Sequence, residues 1–139
     1  MSNSQINLEN PISVVFHPRF NDTDALGHIN NACITTWFEE GRRPIFEYFV
    51  PDLDPQKWNL IIARIEVDYL AQAFYQKQVI IKTVIEKLGN SSFVLLQEAS
   101  QEEKIISRGK SYLVHFDYSE QKSIKIPDDI RAKLKEILQ

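Results

Sequence analysis

The stretch Arg19-Phe20-Asn21-Asp22-Thr23-Asp24-Ala25-Leu26-Gly27-His28-Ile29-Asn30-Asn31, continuing to Val50, decides the fold. Its first half is short polar residues with one glycine, the composition of a turn, and Asn, Asp and Thr beside an apolar residue are helix-start signals. From Ala32 onward Ile34, Phe38, Gly41, Ile45 and Phe49 recur three or four apart, one stripe of a helix. Carried to Val50, that helix is about 28 Å long at roughly 1.5 Å per residue, enough to cross a small domain. Pro44 removes one helical hydrogen bond and crowds the carbonyl four residues back, so the spacing predicts a kink near Glu40 or a second helix starting at Pro44. The first amides of a helix lack intrahelical acceptors and the macrodipole favours negative charge there. The junction therefore suits a developing oxyanion, and Asp24 lies seven residues before Asn31.

Working outward, Ile12, Val14 and Phe16 alternate with Ser13, Val15 and His17, a period of two that predicts a strand over Ile12–Phe20. Pro18 limits how centrally its far end can pair, which suits an edge. Beyond the helix, Pro51-Asp52-Leu53-Asp54-Pro55 stops it, and four apolar, β-branched segments follow: Leu60–Ala73, Gln78–Leu88, Ser92–Ser100 and Lys104–Tyr118. Their short links imply antiparallel neighbours in sequence order, since a parallel crossover needs a dozen residues or more. Pro127-Asp128-Asp129 before Ile130, Leu134 and Ile137 predicts a capped helix on the surface over 127–139, and Met1–Asn10 is polar and expected to be loosely ordered. The expected architecture is α+β: one antiparallel sheet packed on one long helix, a single domain over 1–139.

Composition narrows the function. Of 139 residues, 43% are apolar and 25% charged, which is globular. Sixteen basic residues are scattered among nineteen acidic ones for a net charge of -3, without the basic stripe of a nucleic-acid binder. No apolar run approaches the roughly 20 residues that span a bilayer, and Met1–Asn10 has no apolar signal core, so a cytoplasmic protein without a membrane partner is expected. The single cysteine, Cys33, cannot form an internal disulfide and is read as packing rather than as a nucleophile. His17, His28, Cys33, Asp22 and Asp24 are close in sequence but show no metal-ligand spacing, so no metal is expected.

Asp22-Thr23-Asp24-Ala25-Leu26-Gly27-His28-Ile29-Asn30-Asn31 resembles the active-site loop of the 4-hydroxybenzoyl-CoA thioesterase family, in its Asp-x-Asp-x-x-Gly-His-[Val/Ile]-Asn-Asn form. Phe38-Glu39-Glu40-Gly41-Arg42 is similar to the aromatic-acidic-small-basic run on that family's central helix, and the order of elements resembles the hotdog fold. The resemblance implies an acyl-CoA thioesterase. Asp24 would be the catalytic carboxylate, as nucleophile or general base, the backbone N–H of Asn31 the oxyanion donor, and Gly27 the residue that lets the loop turn into the helix. His28 would reach the substrate or orient the loop, while Asn30, Ile34 and Phe38 would lie along the substrate. It also implies a homodimer or homotetramer with the acyl group between protomers, coenzyme A as part of the substrate, and no further cofactor. Hotdog hydratases place histidine five residues after aspartate, whereas Asp24 and His28 are four apart, which favours hydrolysis. Two alternatives stay open at this point: a thioesterase for acyl groups on acyl carrier protein, and a non-catalytic acyl-thioester binding module of the same fold.

Overall fold

The computed structural model describes residues 8–24 and 26–139. Strand β1 (Ile12–Phe16) leads through a 3-10 turn at Phe20–Asp22 and a tight loop into helix α1 (Asn31–Phe49). A second 3-10 turn at Pro55–Lys57 precedes β2 (Leu60–Tyr69), β3 (Val79–Leu88), β4 (Ser92–Gln101) and β5 (Lys104–Asp117). Short β6 (Lys122–Ser123) and helix α2 (Asp128–Lys135) close the chain. The expected loose ordering of Met1–Asn10 falls mostly outside the described residues. Within them, Glu9 and Asn10 are tied to the far terminus, with Glu9 N–H donating to Gln139 Oε1 at 2.9 Å and Asn10 Nδ2 to Glu136 O at 3.1 Å.

The strands pair antiparallel in the order β1-β3-β4-β5-β2, with β6 added to β5. Strand β1 is at an edge, as Pro18 suggested. The neighbour rule holds for β3, β4 and β5 and fails for β2. Because β1 occupies the free side of β3, β2 pairs instead with β5 at the opposite edge, and residues 70–78 cross one end of the sheet between them.

Helix α1 is continuous through Pro44, so no second helix begins there. The carbonyl that Pro44 leaves without a donor belongs to Glu40, an exposed residue, where water can satisfy it. One face of α1 packs on the curled sheet and makes two apolar clusters. Ile34, Trp37 and Phe38 meet Val79, Ile81, Ala99 and Ile106; Ile45, Phe46 and Phe49 meet Leu60, Ile85, Phe93 and Leu113. The second cluster also takes Leu134 of α2 and Ile137 just beyond it, so this surface helix seals one end of the core with its apolar side.

Between the clusters runs a polar layer. Gly41 brings α1 so near β3 that a Cβ there would overlap Ile81 Cγ2. Beside it Arg42 is 2% exposed, donating from Nη1 to Gln97 Oε1 at 3.3 Å and Ser111 Oγ at 3.0 Å, while Gln97 Nε2 donates to Phe38 O and Thr83 Oγ1. Burial pushes the guanidinium pKa down to about 10, with the Glu39 carboxylate pulling the other way. Sequence spacing carried no sign of this buried cation. Glu39 and Glu40 are both exposed, and Glu40 pairs with Arg43 at 2.9 Å.

Candidate active site

The segment between β1 and α1 folds back on itself as a small hairpin. Asp24 N–H donates to His28 O at 2.7 Å, Asn30 N–H to Asp22 O at 2.9 Å, and Thr23 bridges Ile29. The turn at its tip needs Gly27, whose φ of +80° lies in the left-handed region that side chains disfavour. Asp24 Oδ1 accepts the N–H groups of Leu26 at 2.8 Å and His28 at 3.2 Å, so the carboxylate is locked onto its own turn by one oxygen. Its Oδ2 has no hydrogen bond among the described residues, and the residue is exposed.

The hairpin docks on the β2–β3 connection. Ile29 N–H donates to Ala73 O at 3.1 Å, His28 bridges Phe74, and the two rings meet edge to face at 5.6 Å. Gln101, buried at the end of β4, holds that connection by accepting from Phe74 N–H at 2.9 Å and donating to Phe74 O at 2.8 Å and Lys77 O at 2.9 Å. His28 thus lies where the hairpin meets the β2–β3 connection.

At the helix start, Asn30 is the cap. Its Oδ1 accepts Ala32 N–H at 2.9 Å and its carbonyl accepts Cys33 N–H at 2.9 Å. With Asn30 N–H held by Asp22 O, the amides of Asn30, Ala32 and Cys33 are all satisfied. Asn31 N–H alone of the four has no partner among the described residues. Tyr69 Oη, from the end of β2, donates to Asn31 O at 3.3 Å and braces the same residue from the sheet.

Asp22 is the opposite of Asp24, at 2% exposure. Its carboxylate accepts Arg19 N–H at 2.9 Å, Arg19 Nη2 at 3.3 Å and Trp37 Nε1 at 3.2 Å. Burial alone would raise its pKa, but the Arg19 amide, the indole and the guanidinium together hold it below the usual 3.8. Burial and the neighbouring Asp22 charge push the Cys33 thiol up, which keeps it a thiol and fits the packing role read from sequence.

Ile34 and Phe38 were expected beside the substrate. The structure seats them against the sheet at 3% and 2% exposure, within the core behind the helix start. A depression of about 350 Å³ beside the loop is lined by Gly27, Phe74, Tyr75, Gln76 and Lys77. A groove of about 470 Å³ lies towards the C-terminal half of α1, lined by Phe46, Leu53, Trp58, Leu60 and Ile62 among others. Among the described residues no three His, Cys, Asp or Glu side chains gather as metal ligands, and no helix is long and apolar enough to cross a membrane. Sequence reasoning missed Tyr69 and Phe74, which meet the helix start and the hairpin, and Gln101, which holds Phe74 from 27 residues away; contacts so distant in the chain leave no local pattern.

The thioesterase-like superfamily model matches residues 18–134, from just before the hairpin to α2. The chain belongs to the thioesterase-like superfamily. This superfamily member is similar to a structure described as a predicted thioesterase from Bacillus stearothermophilus, with 40% identity over 93% of this chain and 97% of that one, TM-score 0.88. It is also similar to a thioesterase from Thermus thermophilus complexed with coenzyme A and Zn, with 28% identity over 90% and 98%, TM-score 0.79. At the level of fold alone it resembles a mutant 4-hydroxybenzoyl CoA thioesterase complexed with 4-hydroxybenzoyl CoA, with 18% identity over 89% and 98%, TM-score 0.74. The superfamily member thus has the hotdog fold that its order of elements suggested. A search of curated proteins gave no match.

Proposed function

We propose that this protein is a thioester hydrolase that cleaves an acyl-CoA into the free acid and coenzyme A, with Asp24 as its catalytic carboxylate. The observation that carries the reading is the contrast at the helix start. Three of the amides there are satisfied, and the fourth, Asn31 N–H, has no partner among the described residues and directly follows the hairpin that fixes Asp24. A donor left unsatisfied at the positive end of a 19-residue helix is suited to an oxygen that becomes negative only during reaction.

The chemistry follows from the groups available. The thioester carbonyl oxygen faces Asn31 N–H, and Asp24 delivers Oδ2 to the carbonyl carbon or takes a proton from a water that attacks it. Either way the carbonyl π electrons move onto oxygen, where the amide meets the new charge; the oxyanion then collapses, the C–S bond breaks and coenzyme A leaves as the thiolate, which becomes the thiol with a proton from the water that attacks the carbonyl or opens the anhydride. Direct attack forms an anhydride that water opens, which returns Asp24 to its starting state. One such donor contributes about 3 kcal/mol to lowering the barrier. The choice of carrier is supported by the coenzyme A in the Thermus thermophilus relative.

The site is completed by a second copy. Strand β2 is a free edge, and its helix-facing side carries exposed Ile62, Ile65 and Tyr69. Antiparallel pairing of two β2 edges about a two-fold axis brings the Leu60 end of one strand towards the partner's Tyr69, which braces the partner's helix start. The groove at Phe46, Trp58 and Leu60, whose lining also includes Glu39, Glu40 and Arg43, then opens towards the partner's Asn31 and receives the acyl group against its apolar residues. The test is thiol release from short, medium, long and aromatic acyl-CoAs. Hydrolysis of at least one class is expected, and tight binding of the whole panel with no release would show an acyl-thioester binding module instead.

A further inference from the structure

We propose that Asp22 is the positioning residue of this site: one buried residue clasps the catalytic hairpin to the first two turns of α1, so that Asn31 N–H is held at a fixed place relative to Asp24. The inference rests on the hydrolase reading and assigns a task to an acid which that reading leaves unused.

The clasp has two arms. The backbone arm is Asp22 O, which accepts Asn30 N–H at 2.9 Å and so fixes the residue before the open amide. The side-chain arm is the carboxylate, which accepts Trp37 Nε1 at 3.2 Å from the second turn of the helix. A third contact, Arg19 N–H at 2.9 Å, anchors the carboxylate to the start of the hairpin. Trp37 is 3% exposed and meets Phe16 of β1 edge to face at 5.9 Å, so the indole cannot swing away from the acid. The hairpin, the helix and strand β1 therefore meet through the Asp22–Trp37 pair.

A buried carboxylate is an expensive way merely to fill space, because an ion out of water costs several kcal/mol unless its lone pairs are met. What it supplies over an apolar residue is direction. Its Oδ2 draws two donors at once, the Arg19 amide from the hairpin start and the Trp37 indole from the helix. Rate depends steeply on such placement, since a shift near 1 Å in a reacting group costs on the order of 100-fold.

The experiment compares wild type, Asp22→Ala, Trp37→Phe, the double variant, and Asp22→Asn as the conservative control. Asp22→Ala removes the side-chain arm, while Trp37→Phe removes the indole donor and keeps an aromatic ring. On the best acyl-CoA, each of these single variants is expected to lower kcat roughly tenfold or more, with KM and the affinity for a thioether acyl-CoA analogue within about twofold. The double variant should be no slower than the slower single one, because both break the same contact. Asp22→Asn keeps one acceptor oxygen for the Arg19 amide and the indole, so it should recover most of the kcat lost in Asp22→Ala. Amide hydrogen exchange at Asn30 and Ala32 should speed up in Asp22→Ala and Trp37→Phe.

Fewer analogue-binding sites with unchanged kcat per site would reduce Asp22 to a stabilising residue and overturn the proposal, as would unchanged kcat and exchange in Trp37→Phe should Asp22→Ala not fold. If the wild type releases no thiol, the hydrolase reading fails by itself, and the exchange rates still decide whether the clasp exists.

Discussion

Asp24 keeps one carboxylate oxygen for its own turn and leaves the other without a partner among the described residues, and that division separates it from Asp22, both of whose oxygens are taken. The two acids look alike in sequence. In sequence only the motif sets Asp24 apart, and the contact that occupies Asp22 appears only once Trp37, fifteen residues on, turns its indole towards the hairpin. The angle at which helix and hairpin meet sets that contact, and no local pattern reports it. A pH dependence of stability follows. The folded pKa of Asp22 lies below its unfolded value near 3.8, so the stabilisation is complete above about pH 5 and is lost as pH falls through the folded pKa. Urea midpoints measured from pH 6 down to 2 should show this acid-side loss in the wild type and a shallower one in Asp22→Asn.

At the scale of elements, the long helix and the strands were legible because their apolar periods are unambiguous, and the helix runs one residue from where the spacing put it at each end. Two features were not legible. The place of β2 beside β5 depends on β1 having taken the free edge of β3, a competition between distant segments. The polar layer around Arg42 depends on Gly41, which reads in sequence as one more small residue on an apolar stripe. Gly41→Ala should destabilise the fold by about 1–3 kcal/mol in chemical denaturation, because the added methyl overlaps Ile81 and the helix must lift from the sheet. Propensity alone would forecast the opposite sign, since alanine is the better helix former. The sign therefore tests the close approach.

For the molecule as a whole, the exposed side of β2 is the feature that the fold of a single chain leaves unexplained. Ile62, Ile65 and Tyr69 are 37%, 43% and 44% exposed along a free strand edge, a combination that soluble monomers normally blunt with charge or proline. Ile65→Lys places a charge in the middle of that edge on the helix-facing side, where Ile65 pairs with Ser111 beside buried Arg42. The variant should run as a monomer by size exclusion with light scattering and lose most thiol release while its hairpin stays intact. A dimer with unchanged activity would place the interface elsewhere. One measurement bears most directly on the account: thiol release on the best acyl-CoA by wild type and Asp24→Asn, with analogue affinity as the control. Asparagine retains the oxygen that accepts from Leu26 and His28, so the loop and analogue binding should persist while kcat falls by a factor on the order of 100 or more. An Asp24→Asn enzyme that turns over at the wild-type rate would contradict the central claim and remove Asp24 from the chemistry.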